Sequence, residues 1–328
     1  MKTLICNLPK FVSIQKKTVS AQMASFSSSS TLPRKEISVK VKWGEIRGQQ
    51  WGPDDGHPVV CLHGWADNCG TFKNLIPLLP QGCRYLALDM AGHGLSSHRP
   101  AGDFYTFPGY VADVRRVTES LQLNKFTIMG HSMGANIAGM FCSLYPEKVD
   151  GLVFLDAYGF LPTKLKEIPD MMRKGIDEII QFENKAEVKS RVYTYEKAVE
   201  RLQTANPTLS KESTEILLER GLAQVEGGFA FTRDIRVNFR NIARTPLELS
   251  LEMLSRIQAP VLVVMADKGL KVIFPEIASN YSSLLTHHEE RDVNTVTWVS
   301  GDHHVHLDHP EVVAPVVSDF LLKKVLAK

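Results

Sequence analysis

The stretch of this chain best suited to chemistry is Gly130-His131-Ser132-Met133-Gly134. It follows residues 126–129, an apolar and partly β-branched run that suits a buried strand. It precedes Ala135, Ile137, Ala138, Met140 and Phe141, which recur at helical spacing. A serine held in G-x-S-x-G between a strand and a helix sits on a turn tight enough to strain its backbone. Glycines flank it because a Cβ at 130 or 134 would collide with the neighbouring strand or helix. Such a turn holds the Ser132 hydroxyl above the sheet edge as a nucleophile. It also leaves the Met133 amide at a helix N-terminus, where it can donate to a developing oxyanion. The plain alternative is a Gly-rich turn whose serine only caps the helix.

A nucleophilic serine needs a base and an acid. His303, His304, His306 and His309 lie on a loop between a last strand (293–299) and a last apolar helix (312–326). By position a base belongs there, and serine, acid, histidine is one recognised chain order for these groups. The same histidines, with His287 and His288 upstream, raise a metal site. Their spacing matches no standard closed set and no Cys joins them, so no metal is expected. Asp156 ends a buried strand at 149–155, and Asp267 follows another at 259–266. His63-Gly64-Trp65 ends an apolar strand at 58–62. The Trp65 amide there is the candidate second oxyanion donor, with its side chain lining the pocket. His63 is expected to brace that loop. His93 lies in a tight, Gly-punctuated turn (89–96) ahead of the nucleophile and reads as structural.

The elements around these residues alternate strand and helix up to about residue 159, which predicts a mostly parallel sheet with helices on both faces. A hairpin at 37–51 opens it. Helices are expected at 72–79, ended by Pro80, and at 107–121, with Val111, Val114, Val117 and Leu121 on one face. From about 160 to 257 the alternation breaks into a charged, helix-rich segment without a convincing strand. One amphipathic helix is expected from Val188 to Leu202, and another around Ile216, Leu217 and Leu218, ended by Gly221. Coming directly after the strand that follows the elbow helix, this segment reads as a cap over the sheet's carboxyl edge. A separate interaction domain is the alternative.

Composition sets limits. The 328 residues are 44% hydrophobic and 23% charged, enough for one large α/β domain with an insertion. A net charge of +2 gives no reason to propose nucleic acid. Cys6, Cys61, Cys69, Cys83 and Cys142 are scattered and odd in number, as expected of reduced thiols inside a cell. No stretch is long and apolar enough to span a membrane. Residues 1–33 stand apart from the domain at 34–328: they are basic, Ser-rich and free of acid. That is the composition of a mitochondrial presequence or of a tail with no address.

The chain resembles the α/β-hydrolase superfamily and, within it, the animal serine hydrolase-like proteins. The stretches that carry the resemblance are VKWGEIRGQQWG, VVCLHGWADN, LIPLLP, GHGLSSH, GHSMGANIAGMF, the cap segment LLERGLA and GDHHVHLDHPEVVA. Together they reach from about residue 37 to the end. The resemblance implies an eight-stranded hydrolase sheet under a helical cap and no cofactor. It implies Ser132 as nucleophile and His303, seven residues before Pro310, as base. His304 and His306 would matter much less. The chain departs from the superfamily at the acid: the usual position after the 259–266 strand is Gly269, which cannot orient an imidazole. Asp156, at a position some relatives use, is the first choice and Asp267 the second. The implied reaction is hydrolysis of a small carboxylic ester or thioester. The alternatives are a serine-dependent carbon–carbon bond hydrolase or a non-catalytic binding protein on the same fold. The resemblance implies cytoplasm or peroxisome, although the C-terminus lacks a peroxisomal S-K-L. It leaves substrate and oligomeric state open.

Overall fold

The computed structural model describes residues 32–185, 191–273 and 278–327. The expectations for residues 1–31, for Cys6 and for Val188 lie outside the described residues.

Eight strands form one sheet: β1 (Arg34–Val41), β2 (Gly44–Trp51), β3 (His57–Leu62), β4 (Cys83–Leu88), β5 (Phe126–His131) and β6 (Val149–Leu155), then β9 (Val261–Ala266) and β10 (Thr295–Val299). Their order across the sheet is β1-β2-β4-β3-β5-β6-β9-β10. The first two pairings are antiparallel and the rest parallel. The inner parallel strands β3, β4, β5, β6 and β9 are buried on both faces, which is why they read as unbroken apolar runs, whereas the edge strand β10 has no fully buried residue. Val60, Leu62, Ile128 and Phe154 enter one core, and their neighbours Val59, Cys61, Met129 and Val153 enter the other. This is the two-residue period of a strand sorted onto two helical layers.

The helices that pack on the sheet are α1 (Phe107–Ser120) and α2 (Met133–Leu144), then α6 (Leu247–Ser255), which falls inside the expected cap range but packs on α2, and α7 (Leu270–Ile273), α8 (Ala278–Glu289), α9 (Val305–Asp308) and α10 (Pro310–Phe320). The Thr106 hydroxyl caps α1 by accepting the Gly109 amide, and Pro108 starts its first turn. Helix α2 is buried almost all round, because it threads between the sheet, α1 and α6.

The cap contains α3 (Ile168–Glu183), α4 (Tyr195–Ala205) and α5 (Lys211–Gly221). It also holds a hairpin, β7 (Leu222–Val225) with β8 (Gly228–Phe231), where no strand was expected. The two intervening residues are Glu226 and Gly227; Gly227 turns the chain at φ 83°, and Gly228 opens β8 at φ 148°. The expected helix at 72–79 is instead two 3-10 turns, Cys69–Phe72 and Ile76–Leu78. Pro77 has no amide to donate, and a second proline follows at residue 80. The final helix stops at Phe320 and continues as a π turn, Leu321–Val325. Cys61, Cys69, Cys83 and Cys142 are buried free thiols. Among the described residues no helix is long and apolar enough to cross a membrane.

Candidate active site

The parallel strands all deliver their carboxyl ends to one edge of the sheet, where ligands bind in folds of this kind. Ser132 stands at the end of β5 with φ 51° and ψ −113°, a strained conformation for a residue with a side chain. The flanking glycines are sterically required. A Cβ on Gly130 would lie 2.5 Å from the Ala135 amide nitrogen, and one on Gly134 would lie 2.0 Å from the Leu62 carbonyl oxygen. The Ser132 hydroxyl makes no cap hydrogen bond to α2, so the capping alternative fails. Met133 is the first residue of α2, and its amide has no intrahelical acceptor.

Asp156 ends β6, also at positive φ (45°), and is 1% exposed. Its carboxylate accepts the Ala266 amide at 3.0 Å and the Leu270 amide at 2.7 Å. Oδ2 also lies 2.5 Å from His303 Nδ1. These bonds aim the carboxylate and hold His303 with its Nδ1–H toward Asp156, leaving Nε2 free to face a substrate or a serine. The place of the usual acid shows why this works. A Cβ on Gly269 would sit 2.1 Å from Asp156 Oδ2, so the missing side chain is the room that the Asp156 carboxylate occupies. Asp267, the other sequence candidate, is not brought to His303. It turns away and accepts the Gly301 amide at 2.9 Å, a bond that lowers its pKa.

The loop after β3 carries Trp65 at the same edge. The side chain is 55% exposed, its Nε1–H donates to the cap carbonyl of Val237 at 3.0 Å, and the Arg233 guanidinium lies over its ring. Ala66, next in the chain, has φ 68°, so this loop is also strained. Among the described residues the Trp65 amide donates to no backbone or side-chain acceptor. His63 is fully buried and satisfied at both nitrogens. Nδ1–H donates to the Gly64 carbonyl at 2.7 Å, and Nε2 accepts the Met90 amide at 2.9 Å. It braces two loops, and burial pulls its pKa down. His93 is buried beside it and held neutral by the same cause.

Sequence reasoning missed a second cluster behind His303. His131, His303, His304 and His306 pack ring against ring, with the His131 centroid 4.2–5.1 Å from the other three. Asp67 joins them, its Oδ2 at 3.2 Å from His304 Nε2. Burial works against the Asp67 charge, but the His304 and His131 imidazoles hold its pKa well below the usual carboxylate range. Burial also opposes charge on His304, yet Asp67 raises its pKa overall. His131 has burial as its largest influence and falls to about 4. Local spacing could not show this group. The available signal was that the β3 loop, the elbow and the last-strand loop must meet at one sheet edge.

The alpha/beta hydrolase fold family matches residues 57–310. The chain belongs to this family. It is 51% identical over 315 residues to the serine hydrolase-like protein of Danio rerio, across 96% of this chain and 94% of that one. It is 37% identical to serine hydrolase-like protein 2 of Homo sapiens, across 87% and 93% of the two chains. Among solved structures, a hypothetical protein of Pseudomonas aeruginosa superposes with a TM-score of 0.79 at 30% identity, covering 88% of this chain and 99% of the other. A thioesterase domain from the curacin biosynthetic pathway superposes at 0.72 with 25% identity, across 87% and 99%. Family and relatives support a hydrolase resembling the animal serine hydrolase-like proteins.

Proposed function

We propose that this hydrolase cleaves a carboxylic ester or thioester through an acyl-enzyme on Ser132, with His303 as base and Asp156 as acid. The observation that carries this is the 2.5 Å bond between His303 Nδ1 and an Asp156 carboxylate that two backbone amides aim, at the sheet edge where Ser132 is held in a strained backbone conformation. In the first step Ser132 Oγ attacks the carbonyl carbon as its proton passes to His303 Nε2. The carbonyl oxygen becomes an oxyanion and takes the Met133 and Trp65 amides. Each such donor lowers the barrier by about 3–4 kcal/mol. Collapse expels the alcohol or thiol, which leaves with the proton from His303. Water then attacks the acyl carbon, gives its proton to His303, and the tetrahedral adduct releases the acid and restores Ser132. Asp156 keeps His303 in the tautomer that presents Nε2 as acceptor and steadies the imidazolium.

No metal or cofactor enters these steps. The likeness to a thioesterase domain supports the thioester branch. A carbon–carbon bond hydrolase would use the same nucleophile. The test is hydrolysis of p-nitrophenyl esters and acyl thioesters by the wild-type chain and by Ser132→Ala. The expected result is turnover of at least one class, abolished by Ser132→Ala with unchanged circular dichroism. Wild-type turnover that survives Ser132→Ala would refute the mechanism.

A further inference from the structure

Behind the His303–Asp156 pair, the buried cluster contains groups that the acyl-transfer steps do not use. Asp67, His131 and His304 are buried, and one ligand atom from each lies within 4.8 Å of the others. Asp67 Oδ2 is 3.2 Å from His304 Nε2 and 3.7 Å from His131 Nδ1. His131 Nε2–H donates to the His303 carbonyl at 2.9 Å, which leaves Nδ1 as a bare lone pair. That nitrogen has no hydrogen-bond partner, and its side chain has no exposed surface. It points at a carboxylate. The Asp67 carboxylate already meets His304 Nε2 at 3.2 Å, and the buried His131 lone pair beside it is stabilised only when a positive centre, a proton or a metal ion, faces it. At 3.7 Å the gap is too long for a shared proton.

The gap suits an ion. A tetrahedral metal bound at about 2.0–2.1 Å to N and O ligands sets them roughly 3.3 Å apart; the two separations from Asp67, 3.2 and 3.7 Å, fall on either side of that spacing, and the two histidine nitrogens, within 4.8 Å of each other, draw together when an ion binds. Gly64 keeps the space open: a Cβ there would lie 2.8 Å from His131 Nδ1 and 3.3 Å from Asp67 Oδ2. Outer partners already orient two of the three ligands, His131 and Asp67. The His303 carbonyl fixes the His131 tautomer. The Thr71 hydroxyl lies 3.4 Å from Asp67 Oδ2 and 2.9 Å from His306 Nε2.

We propose that Asp67 Oδ2, His131 Nδ1 and His304 Nε2 form a site for one divalent transition-metal ion. Two imidazoles and a carboxylate favour zinc or cobalt over magnesium or calcium, which take oxygen ligands. The ion ties the β3 loop to the residue before Ser132 and to the residue after His303. It therefore holds the two reacting segments in register from behind and takes no part in the bond making. The site does not depend on Ser132 being a nucleophile.

The experiment strips the full chain with a chelator and titrates it with Co²⁺, whose visible d–d bands report tetrahedral ligation. Zn²⁺ content after desalting gives the stoichiometry, and melting temperature gives the coupling to folding. One equivalent should bind with tetrahedral bands and raise the melting temperature, and Ser132→Ala should bind identically. Asp67→Asn and His304→Gln should each weaken binding by about 100-fold or more, since even outer-sphere changes cost 10–100-fold. His309→Gln, an exposed histidine on the same loop, should change nothing. If a ligand variant fails to fold, the wild-type spectrum decides. Weak octahedral bands, no stoichiometric ion, or binding that survives Asp67→Asn and His304→Gln would overturn the proposal.

Discussion

Gly269 shows how much one absent side chain can do. Its backbone is not at positive φ, so the glycine is there for space and not for conformation. Gly269→Ala places a Cβ 2.1 Å from Asp156 Oδ2 and must displace the carboxylate. A displacement of about 1 Å in a catalytic group costs roughly 100-fold in rate. Gly269→Ala should therefore lose about that much in kcat although the residue touches no substrate. Steady-state kinetics on one ester checks it, and an unchanged kcat would place the acid elsewhere. Asp156→Asn should cost on the order of 10⁴ in kcat through the wrong His303 tautomer, while Asp267→Asn should cost less than about tenfold. At this scale the sequence carried Ser132 plainly, because a strand, a glycine pair and a helix surround it. It left Asp156 and Asp267 unresolved. Choosing between them requires knowing that the ends of β6 and β9 lie side by side, with Leu155 paired to Val264. Asp267 turns off toward β10.

Among the elements, helix α5 ties the cap firmly to the sheet. Arg220, in the LLERGLA stretch, donates to Asp89 at 2.8 and 3.0 Å and to Glu36 at 2.7 Å. Asp89 is fully buried at the end of β4, where it also accepts the Cys69 and Leu95 amides. Asn68 adds a second tie, donating to the Leu217 carbonyl at 2.8 Å. Removing one member of a buried ion pair costs about 3–5 kcal/mol. The amides that remain on Asp89 place Arg220→Ala near the lower end. Urea unfolding should show that loss, and a change under about 1 kcal/mol would mean that solvent screens the pair. The main strands were legible because parallel strands buried on both faces leave unbroken apolar runs. The β7–β8 hairpin was not, because its strands are short and only partly buried, without a clean alternation. The helix expected at 72–79 does not form, because Pro77 inside that range has no amide to donate to the preceding turn.

The whole molecule buries several histidines as neutral groups, and this sets its behaviour in acid. His288 is an example away from the active edge. Burial is the largest influence on it and lowers its pKa to about 4, with the Tyr158 carbonyl at 3.1 Å opposing. The unfolded chain protonates it near the ordinary histidine pKa of about 6.5. Stability from this group is thus fully present above about pH 6.5 and is lost as pH falls toward 4, by up to about 1.4 kcal/mol per pH unit. His288→Gln should flatten the stability profile between pH 6.5 and 4.5 relative to wild type, read by urea midpoints. An equal slope in both proteins would show that His288 does not titrate in that range. Fold and chain order of the chemical groups were legible because both follow from element sequence. The histidine cluster was not, because it exists only once three distant loops converge. What the converged edge should do is make one serine uniquely reactive. A fluorophosphonate probe followed by peptide mass spectrometry measures that. One adduct on Ser132 is expected, lost in Ser132→Ala and strongly slowed in His303→Ala. A folded wild-type chain that takes no label at Ser132, or labels there equally fast without His303, would contradict it.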